Sequence, residues 1–152
     1  MAVGAMAAYV QGLDQKPEHQ LLESLGGLIA GWPGGCCPDF LEPAQGSPNH
    51  RDVAHSLAAG ASLLKLSVSV AEGWRSHWRT LSDEFFAAAA AVPLDSPQRL
   101  TLQVQGSLAR VIAGMFVGFA AGYFSHLALD AQTPKCLPLL GAATIALKPA
   151  FL

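Results

Sequence analysis

The sequence predicts an all-α fold, one compact bundle of four to five helices that takes residues 1–152 as a single domain. Three observations predict it. No stretch alternates apolar and polar residues with period two for long enough to make a strand. Helix-start signals stand at Pro17 and at Ser96-Pro97, where proline suits the first helical position and serine the cap. After Pro97 no proline occurs before Pro134, room for one helix of over thirty residues.

Taken in order, Pro17 to about Ala30 reads as the first helix. His19, Leu22, Glu23, Gly26 and Ala30 share one side of it. Gly31 to Asn49 is rich in proline and glycine and reads as a loop, the place for a metal site. A second helix runs from His50 to about Glu72, Gly73 marks a break, and Trp74 to Ala91 forms a third. The long helix in the C-terminal half covers Pro97 to Asp130, and Pro138 to Leu147 can form a short last one. On the long helix Gly114, Gly118 and Gly122 recur every four residues, a ridge that lets another backbone approach closely. Its expected partner is the second helix at Ala58, Ala59 and Ser62.

Composition narrows the function. Hydrophobic residues make up 51% and charged ones 13% of the chain, with a mean hydropathy of +0.34. The net charge of −2 leaves no basic surface for specific nucleic-acid binding. Cys36, Cys37 and Cys136 are an odd set with no CxxC, which reads as small apolar residues in a reducing compartment. The first residues lack the basic and apolar regions of a signal peptide. Val111 to Leu129 is barely long enough for a membrane span, so membrane association is expected without a clear multi-span pattern. Trp74 and Trp78 read as an interfacial or interhelical tryptophan pair.

Two groups of residues carry possible chemistry. His126 and Asp130 are spaced i, i+4 on the long helix, so an imidazole and a carboxylate can share a metal ion or simply pair. Asp39 and Glu42, followed by His50 and His55, supply hard oxygen and borderline nitrogen donors suited to zinc, manganese or iron. His19 with Glu23 repeats the i, i+4 arrangement and joins the list of metal candidates. Arg51 pairs with a ligand carboxylate or holds an anionic substrate. Asp39 or Glu42 can act as general base on an attacking water.

The segments PDFLEPA, NHRDVAHS and GYFSHLALDAQTPKCLPLLG together resemble the small, LexA-regulated, inner-membrane-associated metal-dependent hydrolases of the YdjM type. That family is distantly similar to zinc-dependent phospholipase C and related nucleases. Phe40 stands where the family has a second acidic residue, and Cys136 where a glycine is common. The resemblance implies a hydrolase that uses a divalent ion, zinc first, on a small-molecule or lipid-like phosphoester. It also implies association with a bacterial inner membrane, with a cytoplasmic location as the alternative. Two other classes stay open: a bundle stapled by a structural metal, and a membrane or partner-binding helical module whose His/Asp cluster is structural.

Overall fold

The computed structural model describes residues 1–41, 65 and 67–131. Among these residues the protein is all helical, with four α-helices and one π turn: α1 (Ala2–Gln11), α2 (Pro17–Leu41), the π turn (Ser67–Ala71), α3 (Glu72–Ala90) and α4 (Pro97–Ala131). The long helix starts at Pro97, as its sequence signal requires. It is long and apolar enough to cross a membrane.

Three expectations change. α1 is an additional helix, which the Pro17 signal did not announce. α2 does not stop near Ala30 but continues through Pro33 and Pro38 to Leu41, so Asp39 sits on a helix and not in a loop. Each internal proline removes one bond to the carbonyl four residues back. The helix persists because packing, more than propensity, holds it: a Cβ on Gly34 would run into the Phe119 carbonyl of α4, and one on Gly35 would stand 3.6 Å from that of Gly122. The break expected at Gly73 falls a turn earlier, in the π turn, and Gly73 itself lies inside α3.

The glycine ridge of α4 packs inside the chain, but its described partner is α2. A Cβ on Gly114 would run into the Glu23 carbonyl, one on Gly118 into that of Gly27, and one on Gly122 into that of Gly31. In each pair the α4 residue number exceeds its α2 partner's by 91, so the two helices run parallel in constant register. Gly4 of α1 closes on the same seam: a Cβ added there would stand 2.9 Å from the Gly31 Cα and 3.1 Å from the Gly118 carbonyl. Ala58, Ala59 and Ser62 lie outside the described residues.

The distribution of side chains follows from this contact. The buried apolar residues are mostly small, among them Ala8, Ala30, Ala109 and Ala113, while Leu25, Leu28, Ile29 and Trp32 of α2 point outward. Helix backbones touch at the centre, and the large apolar side chains are left on the outside.

Candidate functional site

Two polar clusters stand at opposite ends of the α2–α4 pair. At the first, Glu23 is fully buried and three arginines converge on it. Arg79 grips both oxygens, Nε to Oε1 and Nη2 to Oε2 at 2.7 Å each. Arg75 donates to Oε2 and Arg110 to Oε1, both at 3.2 Å. Arg110 also donates to Ser82 Oγ, at 3.2 Å, and to the exposed Asp83. Arg75 and Arg79 further donate to the Gln11 carbonyl at the end of α1, at 2.7 and 3.3 Å. Two guanidiniums thus meet one of the carbonyls a helix C-terminus leaves unbonded. Burial works against the charge of Arg79, but the hydrogen bond and charge of Glu23 outweigh it and hold the guanidinium above its ordinary pKa.

His19 belongs to this end. Its ring stacks on Phe86 at 5.1 Å between centroids. It does not join Asp39: the twenty residue steps of α2 that separate them span ~30 Å, too far for a shared ion. Burial, then the positive charge of Arg110, pushes its pKa below the ordinary histidine value. The unfolded chain takes up that proton more readily, so stability present above pH ~6.5 falls as pH drops toward the depressed folded value. His19→Phe keeps a ring over Phe86 and removes the titration. Its melting temperature should fall less than that of the wild type between pH 7.5 and pH 5, and equal slopes would refute the assignment.

At the second end, Asp39 of α2 meets His126 and Asp130 of α4. His126 Nε2 lies 3.6 Å from Asp39 Oδ1 and 3.4 Å from Asp130 Oδ2. Asp39 is largely exposed, whereas the side chain of Asp130 is only 11% exposed. Residues separated by some ninety positions are brought together because the register of 91 sets Asp39 level with Asp130. The other members of the expected site, Glu42, His50, Arg51 and His55, lie outside the described residues.

Carboxylates and an imidazole are donors of a kind that divalent ions take. The set is incomplete: among the described residues no three His, Cys, Asp or Glu side chains form a group that could hold a metal by themselves. Cys37 is a free, partly buried thiol.

The arginine cluster was not anticipated, although a signal for it exists. Glu23 is the only Asp, Glu, Lys or Arg between Glu18 and Asp39, and Arg110 the only one between Arg99 and Asp130. A single charge on an apolar helix requires a partner, and opposite signs on two such helices suggest each other. The tryptophans do not pair directly: Trp74 and Trp78 each meet His77 edge-on, and Trp74 stacks on Phe116.

The fold and its two ends define a helical protein with a glycine-packed core, a buried ionic cluster at one end of the α2–α4 pair and a His/Asp cluster at the other. No family model matches the chain, and no curated protein or solved structure matches it.

Proposed function

We propose that the chain is a membrane-embedded, metal-dependent hydrolase of phosphoesters that works at the Asp39–His126–Asp130 end. The observation that carries this reading is the meeting of Asp39 with His126 and Asp130 across two helices. Two carboxylates and one imidazole are a donor set for zinc or manganese. Glu42, His50, His55 and Arg51, which the YdjM-type resemblance implies, would complete it.

The membrane part rests on the side-chain distribution. Small residues inside and large apolar ones outside is what helices packing within lipid require. Only 33% of the most apolar window of α4 is buried inside the bundle. Residues 24–38 of α2 and 111–125 of α4 contain no Asp, Glu, Lys or Arg. The charged clusters that bracket them are sixteen residues apart on α2, ~24 Å along a helix, against a hydrocarbon core of ~30 Å. That would put one cluster near each face of a bilayer, in a bacterial inner membrane if the resemblance holds.

A divalent ion held there would supply Lewis acidity toward a phosphoryl oxygen and lower the pKa of a water toward neutrality. Asp130, buried beside His126, orients the imidazole. Asp39, the exposed carboxylate, or Glu42 would take the proton of the attacking water, whichever of the two is not a full ligand. The water oxygen bonds to phosphorus, the bond to the leaving alkoxy oxygen breaks, and that oxygen regains a proton.

Elemental analysis and release of p-nitrophenol from bis(p-nitrophenyl) phosphate test this in detergent-purified protein. Asp39→Ala, His126→Ala and Asp130→Ala should each cost at least ~10–100-fold in metal affinity or activity, with helical content unchanged. Wild-type metal content in all three would remove these residues from the site. The incomplete donor set among the described residues favours a second reading, a membrane helical module in which the cluster only ties α2 to α4. A folded wild-type protein that takes up no metal would select it.

A further inference from the structure

At the height of the arginine cluster, α3 presents two different faces. The sequence there is Trp74-Arg75-Ser76-His77-Trp78-Arg79, and a spacing of four keeps like residues on one side of a helix. Arg75 and Arg79 turn inward to Glu23. Trp74 is half exposed and Trp78 partly so, and the exposed His77 meets both edge-on. We infer that Trp74, His77 and Trp78, with Tyr9 of α1, form a belt that binds the headgroup layer of a lipid bilayer. The inference rests on the membrane reading above and not on the hydrolase chemistry.

The heights of these residues lead to it. Trp74 stacks on Phe116, which the offset of 91 sets level with Leu25, two residues inside Glu23. α3 runs antiparallel to α4, since Ser82, further along it, donates to the Gly106 carbonyl. Trp78 therefore lies one turn, ~6 Å, closer to the Arg110 level. The two indoles straddle the height of Glu23, where the uncharged run of α2 ends. Tyr9 reaches that height from α1: Gln20 Nε2 donates to its carbonyl at 3.2 Å, and Tyr9 is itself exposed. From Phe116 through Trp74 and His77 to Trp78 the rings form a row that grows more polar toward the charged end. Indole and phenol rings combine an apolar body with one polar group, which suits them to a membrane–water boundary. Beyond the belt the charges resume at Asp83, Glu84, Asp95 and Arg99. α4 begins thirteen residues before Arg110, so the α3–α4 hairpin would stand ~20 Å clear of the bilayer. A change of polarity at one height on all four helices is what a planar boundary imposes, whereas a protein partner needs only a patch. Trp32 is the counterpoint, exposed midway between Glu23 and Asp39, where a bilayer offers it only hydrocarbon.

The test measures the depth of each tryptophan in the full chain, reconstituted in phosphatidylcholine vesicles. Three variants keep one tryptophan each, built from pairs of Trp32→Phe, Trp74→Phe and Trp78→Phe. Part of the lipid carries bromine close to the glycerol or, in parallel samples, close to the chain end. Fluorescence of Trp74 and of Trp78 should be quenched at least twofold more by the shallow bromine than by the deep one. Trp32 should show the reverse, since it lies ~10 Å deeper than Trp74. Hydroxyl-radical labelling of the wild type in the same vesicles, read by mass spectrometry, keeps the question decidable if a variant does not fold. His77 and Trp78 should be modified at least fivefold faster than Trp32, although Trp32 is the more exposed of the two tryptophans in the bundle. A single depth for all three tryptophans overturns the belt and leaves membrane contact standing. Indoles that neither brominated lipid quenches, with Trp32 labelled as fast as Trp78, remove the membrane reading and the belt with it.

Discussion

Glu23→Gln is expected to lower the melting temperature by about 10 °C, on the basis of ~3–5 kcal/mol for removing one member of a buried ion pair. The substitution preserves shape and removes one negative charge. Arg75 and Arg110, with side chains only 5% and 1% exposed, then lack the carboxylate that offsets their desolvation. The penalty is the desolvation of charges left behind, which exceeds the net worth of the intact pair. Asp83→Asn is the control: that carboxylate is 61% exposed although it also meets Arg110, and exposed pairs contribute ~0–1 kcal/mol. Thermal melts followed by circular dichroism in detergent decide it. Superimposable curves for Glu23→Gln and wild type would mean that the three arginines do not depend on this carboxylate.

Gly118→Leu should be at least as damaging, with loss of the folded state at ambient temperature. Its Cβ alone would overlap the Gly27 carbonyl and Cα, which are backbone atoms that no rotamer change can move. Ordinary overpacking costs ~1–3 kcal/mol because side chains yield; here the helices themselves must separate. Gly73→Ala provides the contrast, since a Cβ there meets nothing within 4 Å, and alanine in a helix interior is favoured by ~1 kcal/mol. Gel filtration and helical content separate the two variants. A monodisperse, fully helical Gly118→Leu protein with wild-type metal content would show that the α2–α4 contact is not what holds the two ends in place.

The long helix could be read from the sequence because both its signals are local: a Ser-Pro start and an absence of breakers. Asp39, His126 and Asp130 could be singled out because acids and histidines are rare in so apolar a chain. The continuation of α2 past Ala30 could not be read, since Gly34, Gly35, Pro33 and Pro38 are local breakers that a facing backbone overrules. The separation of His19 from Asp39 could not be read for a related reason. The i, i+4 spacing correctly set it beside Glu23, but nothing local indicates that Phe86 and three arginines, from distant parts of the chain, occupy that end.

The constant offset of 91 between α2 and α4 acts as a mechanical gauge. Glycines recur every four residues on α4, so the next arrangement that again sets glycine ridge against backbone lies one step away, a slide of ~6 Å along the axis. Such a slide would draw Glu23 away from Arg110 and Asp39 away from Asp130 by the same distance. Smaller displacements would leave the ridge out of step with the backbone it now meets at Glu23, Gly27 and Gly31. The pair therefore has detents and no continuous travel, and both ends are engaged or released together. A disturbance among the arginines is transmitted, through a rod of bare backbone, to the separation of the two aspartates at the far end.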